Sequence, residues 1–318
     1  MYRKIFIICT LVLAFVIFSA CSRENEPAGI ASDTETHESG TNGRPTYDRR
    51  GTPINLPDSI ETIVSIGPAI TEIMVGLGYG GRIIATDGFS YGMAGLPTGI
   101  PQFDMMAMDA EALLSLDPDV LVVTDMIIIG DLDPLTLLSD VGIAVVYIPV
   151  SPTISDIIDD IHFLAAVMGN AEAGNALVAE IEYEVARTRY IAGQIETQRT
   201  VYFEVGSPPW LTTFGRGVFL DEILEIVGAI NVFGDYEGWL PIAEEQVLAA
   251  NPDVIITNNE WIDDPVGDIM SRLAWEGINA VENGRVYSID TDASSRPSQH
   301  IVRAIREIAA AVYPEYFG

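Results

Sequence analysis

Aromatic side chains concentrate in loops of the second half of the chain, where they could recognise a ligand. Trp210, Trp239 and Trp261, three of the four tryptophans, occupy such loops. Rings that project from loops at strand ends form a wall for a broad, flat and partly apolar ligand, and methionine adds soft, adaptable surface. The candidate ligand contacts of this kind, from both halves of the chain, are Phe89, Tyr91, Met105, Trp210, Phe214, Trp239 and Trp261.

Motifs of covalent and metal-dependent catalysis are missing from the sequence. It contains no GxSxG elbow, no Walker-type phosphate loop and no HExxH pair. The histidines His37, His162 and His300 are far apart, so no metal site built on histidine is expected. The acidic doublets 159–160 and 263–264 are expected to be solvated in so acidic a chain. The chain is predicted not to be an enzyme, and a cell-surface hydrolase that uses Asp/Glu pairs is the alternative.

The charge of the chain limits its partners. It has 46 acidic and 16 basic residues, for a formal net charge of −30. Such a surface repels phosphate backbones, which excludes nucleic acid as a partner. It suits a protein that docks on a basic surface or carries a neutral or cationic ligand. A length of 318 residues with 48% hydrophobic content is sufficient for two domains.

Residues 1–20 have the pattern of an export signal. Arg3 and Lys4 precede an apolar run over 5–18, and small residues then lead to Cys21. The run is short for a bilayer span and resembles a lipoprotein signal peptide, after which Cys21 would be acylated. The rest of the chain is therefore expected outside the cytoplasm, attached to the cell membrane through that lipid. A simple membrane anchor is the alternative.

The segment 21–52 is polar and is predicted to be a flexible tether. Cys9 falls within the predicted signal and Cys21 would carry the lipid, so no thiol remains in the folded part. Neither a disulfide nor cysteine catalysis is expected there.

Predicted strands and helices alternate through the remaining chain, a pattern typical of parallel sheets flanked by helices. They include a fully buried parallel strand over 120–124 and a helix over 244–250, and the segments 206–217 and 231–240 are predicted loops. The predicted α/β fold has an N-terminal lobe at 53–152, a helical connector at 153–195 and a C-terminal lobe at 196–318. Within the connector, apolar or small residues recur three or four apart over 171–195, which predicts one long helix. Ligands of such folds bind at strand ends and between lobes.

The two halves also repeat each other. The segment 109–125 resembles 243–259, and the alignment superposes Glu111 on Glu245. Each glutamate stands at a predicted helix start, where the helix dipole favours an acid. The repeat indicates two similar lobes.

Five segments, spread over nearly all of the chain after the tether, carry a family resemblance. They are TIVSIGPAITEIM (62–74), MDAEALLSLDPDVLVVT (108–124), FLDEILEIVGAINVFGD (219–235), IAEEQVLAANPDVII (242–256) and NGRVYSIDTDASSRPS (283–298). Together they resemble the solute-binding proteins of ABC importers for iron–siderophore complexes, haem and vitamin B12. The resemblance implies two lobes joined by one long, stiff helix, a ligand cleft between them and little hinge motion.

The resemblance also implies roles for individual residues. In this family one exposed glutamate per lobe pairs with permease arginines, and Glu111 and Glu245 match those positions. Trp239, six residues before Glu245, matches a tryptophan of the vitamin B12 carriers. Asp292 and Arg296 match a ligand-loop pair. The implied partner is an ABC permease dimer with its ATPase subunits, and the binding protein itself is expected to be a monomer.

The implied ligand is a metal chelate, either a corrinoid such as cobalamin or a ferric siderophore. Met105 and Asp125 stand where the B12 carriers have tryptophans, a departure from their pattern. Arg216 and Arg296 are the only basic residues in the candidate loops. So few cations favour a corrinoid or a neutral hydroxamate chelate over an anionic catecholate.

Two other carriers of the same kind stay open. A haem carrier would use Tyr91 or Tyr236 as an axial ligand. A carrier of bare Mn²⁺ or Zn²⁺ is disfavoured by the scattered histidines. No cofactor of the protein's own is expected.

Overall fold

The structure, a computed structural model, describes residues 43–130 and 132–318. The predicted signal 1–20, Cys21 and the part of the tether before residue 43 lie outside the described residues. Within those residues, no helix combines the length and the apolar character needed to cross a membrane.

Strands and helices mostly alternate along the described part of the chain. The strands are β1 (Ile63–Ile66), β2 (Ile83–Asp87), β3 (Gln102–Phe103), β4 (Val120–Thr124), β5 (Ala144–Ile148), β6 (Thr200–Glu204), β7 (Thr212–Phe214), β8 (Ile230–Asn231), β9 (Trp239–Pro241), β10 (Val254–Thr257) and β11 (Val286–Ser288). The helices are α1 (Pro68–Gly76), α2 (Ala110–Ser115), α3 (Thr136–Asp140), α4 (Ile154–Val167), α5 (Ala171–Ala192), α6 (Phe219–Val227), α7 (Glu244–Ala250), α8 (Pro265–Met270), α9 (Asn279–Glu282), α10 (Thr291–Ser295), α11 (Ile301–Val312) and α12 (Pro314–Phe317).

Two parallel sheets form the centres of the two lobes, which confirms the predicted fold class. The first sheet has the order β3-β2-β1-β4-β5, and the second has the order β11-β10-β6-β8. Strand β4 is buried along its whole length. A parallel strand covered by helices on both faces is apolar throughout, which is why its run of valine and leucine predicted it correctly.

The two segments of the sequence repeat make equivalent hydrogen bonds in the structure. In the first lobe, Asp119 accepts hydrogen bonds from the backbone N–H and hydroxyl of Thr62, at 2.8 and 3.0 Å. In the second lobe, Asp253 accepts the same two bonds from Thr200, at 3.0 and 2.9 Å. Each aspartate therefore joins the start of one central strand to the start of its neighbour.

Replacing Asp119 by alanine should lower the free energy of unfolding by about 1–3 kcal/mol, because its carboxylate also accepts from the Glu61 N–H at 2.7 Å. Asp253→Ala should lower the free energy of unfolding by a similar amount. Urea unfolding followed by circular dichroism measures both, with the exposed Asp140→Ala as the control.

These backbone hydrogen bonds lower the pKa of Asp119. Its contribution is therefore present above the unfolded-state pKa near 4 and is lost as the pH falls through the lower folded-state value. An Asp119 variant as stable as the control would show that these bonds contribute nothing to the fold.

The predicted long helix is α5. It begins after Asn170, whose side chain accepts from the Ala173 N–H at 3.2 Å, and its last residue is Ala192, three residues short of the predicted end at 195. It packs against α4 on the side of the first lobe and against α6 and α11 on the side of the second. One hydrophobic core runs from the first sheet past α5 to the second sheet.

The prediction of a flexible tether is wrong for residues 43–52. Asp48 is fully buried, and it accepts hydrogen bonds from its own turn and, at 3.3 Å, from the Tyr147 N–H of β5. Composition alone suggested a tether because the segment is polar. Its polar groups are instead satisfied by partners distant in the chain.

Candidate functional site

A cavity of about 630 Å³ lies between the lobes, beside the carboxyl ends of strands from the first sheet. Its apolar lining comprises Pro68, Ala69, Ile70, Ile73, Met105, Met126, Ile148, Pro149, Val150, Pro152, Val218, Phe219, Trp239 and Pro297. Its polar side chains are Thr124, Ser151, Asp160, Ser295 and Arg296. Three of the predicted ligand contacts, Met105, Trp239 and Arg296, are therefore brought together at this cavity.

Gly67 and Asp87 shape the wall of the first lobe. Gly67 precedes α1 with a φ of 125°, and a Cβ there would lie 3.2–3.3 Å from Ile70 and Thr124. Its N–H donates to the buried Asp87 carboxylate at 2.9 Å. The same carboxylate accepts from the Phe89 N–H at 2.8 Å. Asp87 thus holds the following loop against the start of α1.

Phe89 and Tyr91 lie on that loop, but neither lines the cavity. Both side chains are exposed to solvent. Tyr236, the other tyrosine considered for haem, is also exposed and also lies outside the lining. The described residues contain no cluster of three or more His, Cys, Asp or Glu side chains arranged to hold a metal ion.

Trp239 is positioned by the antiparallel pair β7–β9, which joins two segments predicted as loops. Phe214 faces Trp239 in this pairing, and the two rings meet edge to face at 5.9 Å. Phe214 is fully buried, so, contrary to the prediction, it does not reach the cavity. It supports the Trp239 ring from behind because the pairing places both side chains on one face.

Trp210 and Trp261 project from two neighbouring loops of the second lobe. The Asn259 amide joins the loops by donating to the Ser207 hydroxyl at 2.8 Å, and its carbonyl accepts from the Trp261 N–H. The tryptophans are 81% and 83% exposed and lie outside the cavity lining. Their contact with a ligand stays a prediction.

Arg296 lines the cavity but is already paired. Its guanidinium lies 2.8 Å from Glu72 of α1 and 2.7 Å from Asp292. Glu72 is buried and also accepts from the Ser298 hydroxyl. The pair therefore joins the lobes across the cleft, with Asp292 as a partner of Arg296 outside the lining. Sequence reasoning missed Glu72, although the one charged residue on a short, mostly apolar helix was a usable signal.

Asp160 is the second acid that sequence reasoning misjudged. It was expected to be solvated, yet it is only 2% exposed and lines the cavity. Its carboxylate accepts from Arg49 at 2.8 Å and from the Ser151 hydroxyl. Burial raises the pKa of Asp160 to about 6, against the opposing effects of Ser151 and Arg49. Its position one helical turn after the buried Ile157 was the signal available in the sequence.

The predicted docking glutamates occupy equivalent places in the two lobes. Glu111 is exposed in the first turn of α2, which Asp109 caps by accepting from the Ala112 N–H at 2.9 Å. Glu245 is exposed in the first turn of α7. Both carboxylates are accessible to a partner, and their role in docking stays a prediction.

Comparisons with known proteins agree with this architecture. A profile of the periplasmic binding protein family matches residues 63–293. The uncharacterized ABC transporter substrate-binding lipoprotein YvrC of Bacillus subtilis is 26% identical over 270 residues, which cover 83% of each chain. The vitamin B12-binding protein of Vibrio cholerae is 26% identical over 261 residues, covering 79% of this chain and 89% of that protein.

A solved structure gives the same result. A possible iron-binding (periplasmic solute-binding) protein from Staphylococcus epidermidis superposes with a TM-score of 0.70 at 27% identity, covering 80% of this chain and 100% of that one. The family profile covers well over half of the chain. The chain therefore belongs to the periplasmic binding protein family, as a substrate-binding protein of the kind that serves ABC importers.

Proposed function

We propose that this protein captures a neutral, largely apolar metal chelate, of which a corrinoid is the leading candidate, in the cleft between its lobes. The charge balance of the cleft carries the proposal. Arg296 is the one basic side chain among the lining residues, and it is paired with Glu72 and Asp292. An anionic catecholate chelate would meet no unpaired cation at this wall and would lie close to Asp160.

The shape of the lining supports the same ligand class. Trp239 presents an aromatic ring to the cavity, and Met105 and Met126 supply adaptable surface on the first lobe. A neutral hydroxamate chelate is the second candidate, since it needs no cation either. The similarity to a vitamin B12-binding protein favours the corrinoid.

The proposal includes delivery rather than turnover. The cleft acids Glu72 and Asp160 are each held by an arginine and a serine, which leaves neither as a free general base for a hydrolase. Glu111 and Glu245 would dock the two lobes on the permease, and a lipid on Cys21 would keep the protein at the outer face of the cell membrane.

Tryptophan fluorescence tests the proposal directly. The mature protein is titrated in parallel with cyanocobalamin, a ferric hydroxamate, haemin and a ferric catecholate, with correction for ligand absorbance. We expect saturable quenching by cyanocobalamin at micromolar concentration or below. Tight binding of the ferric catecholate alone would overturn the assignment of a neutral ligand.

Two tryptophan variants show whether the ligand occupies this cleft. Trp239→Ala should weaken binding by about 1–3 kcal/mol, because an aromatic contact is lost. Trp210→Ala is the comparison variant. Trp210 is also a predicted ligand contact, but it lies on a loop outside the lining, so a ligand held in this cleft should bind the Trp210→Ala protein with wild-type affinity. Equal effects of the two substitutions would place the ligand elsewhere.

A further inference from the structure

Residues 43–52, called the strap below, are anchored to the first lobe at two points. The Arg44 guanidinium donates to the carbonyl of Val167, at the end of α4, at 2.8 Å and to the carbonyl of Pro57 at 2.7 Å. Asp48 is buried further along and contacts Tyr147 in β5. The strap is therefore part of the folded lobe at the edge of the sheet that faces the cleft.

The next strap residue, Arg49, reaches the cleft wall. Its Nε lies 2.8 Å from the Oδ1 of Asp160, and its Nη1 lies 3.7 Å from Asp159. The Arg49 side chain is only 18% exposed. Asp160 itself lines the cavity and Arg49 does not, so the strap contacts a polar group of the candidate site from outside the lining.

Arg50 makes a weaker contact of the same kind. Its Nε lies 3.9 Å from Asp125, and its guanidinium stacks 5.4 Å from the Tyr147 ring centre. Asp125 stands between Thr124 and Met126, which both line the cavity. Burial raises the pKa of Asp125, and Arg50 opposes that shift. Two consecutive arginines thus offset two desolvated acids behind one wall of the cleft.

This compensation matters because the chain is strongly acidic. Asp160 is faced by Arg49 and the Ser151 hydroxyl, with Asp159 beside it and Asp156 one turn earlier on α4. Without Arg49 the charged groups around the carboxylate would all be acids. The carboxylate would then bind a proton at a higher pH and would keep only the Ser151 hydroxyl as a partner that fixes its orientation.

We propose that the strap is a working part of the ligand cleft rather than of the membrane tether, with Arg49 as a positioning residue that keeps Asp160 ionised and oriented at the wall. An ionised carboxylate accepts hydrogen bonds from the peripheral amides of a corrinoid, whereas a protonated one is a poorer acceptor. The ligand part of the inference rests on the proposed function. It also implies that a fragment starting at residue 53 would bind less tightly than the mature protein.

The first test needs no ligand. The free energy of unfolding of the mature protein is measured from pH 4 to 8 for the wild type, Arg49→Ala, Arg49→Lys and Arg44→Ala. In the wild type, the contribution of Asp160 is full below its unfolded-state pKa near 4 and is lost as the pH rises through about 6.

In Arg49→Ala the contribution of Asp160 to the free energy of unfolding should persist to higher pH before it is lost, because the positive charge that lowers the pKa of Asp160 is gone. Arg49→Lys should restore the wild-type profile. Arg44→Ala removes a strap anchor distant from Asp160, so it should lower stability equally at every pH. An Arg49→Ala profile parallel to that of Arg44→Ala would overturn the proposal.

The second test is the dissociation constant for cyanocobalamin at pH 7. Arg49→Ala should weaken binding at least tenfold, whereas Arg49→Lys should stay within threefold of the wild type. Wild-type affinity in Arg49→Ala would overturn the strap proposal and leave the proposed function standing. If the wild type does not bind cyanocobalamin, the corrinoid assignment fails, and the pH profiles alone decide whether Arg49 controls Asp160.

Discussion

A protein that carries both Glu111→Ala and Glu245→Ala should bind its ligand with wild-type affinity and yet fail to support uptake. Each glutamate is exposed in the first turn of a helix, and the sequence repeat places one in each lobe. A charge-assisted hydrogen bond contributes about 1.5–3 kcal/mol. Losing one such bond in each lobe should weaken docking about a hundredfold or more.

Uptake of radiolabelled cyanocobalamin, or ligand-stimulated ATP hydrolysis by the cognate transporter in proteoliposomes, measures this effect. Either single variant should show a partial loss. The matched control is Glu172→Ala, which removes an exposed acid from the first turn of α5, and it should leave uptake unchanged. A loss of ligand affinity in the double variant would assign the glutamates to the cleft instead of to docking.

Glu72→Ala should lower the free energy of unfolding by about 3 kcal/mol, the largest single effect on stability that we expect. Its carboxylate is buried between the lobes and is bonded to Arg296 and Ser298. Removing one member of a buried ion pair leaves the other charge desolvated, which costs about 3–5 kcal/mol. Asp292 still compensates the guanidinium, so the lower end of that range is expected.

The control is Glu61→Ala, which removes an exposed carboxylate that lies 3.6 Å from the Arg82 guanidinium. This substitution should lower the free energy of unfolding by less than about 1 kcal/mol. Urea unfolding compares the two variants, and small-angle scattering of the ligand-free protein reports the spacing of the lobes. The Glu72 variant should also sample wider lobe separations. If both variants lose the same small amount of stability, the pair across the cleft does not hold the lobes together.

Much of the fold was predictable because its signals are local. Strand β4 and helix α7 begin and end at the predicted residues, since a buried apolar run and a helix next to a proline are both visible in a short window. The two aligned segments of the repeat also share an unusual backbone conformation. Asp117 and Asn251, each directly before a proline in the aligned segments, both adopt a positive φ, of 48° and 45°.

The candidate site was predicted less well. Strands β7 and β9 have only three residues each and are distant in the chain, so no periodicity marked them as strands. Their pairing is what buries Phe214 and brings Trp239 to the cavity. Likewise, the polar composition of the strap suggested disorder, because composition does not reveal that Asp48 has a buried partner.

By itself, the sequence determined the α/β fold class, the duplication into two similar lobes and the family, because hydrophobic periodicity and turn residues act over a few neighbouring positions. Only the tertiary structure decided which side chains line the cleft and which charges there are compensated. Arg49 is 111 residues from Asp160, and Arg296 is 224 residues from Glu72. Whether a buried charge is compensated depends on partners that distant, and no local pattern in the chain specifies them.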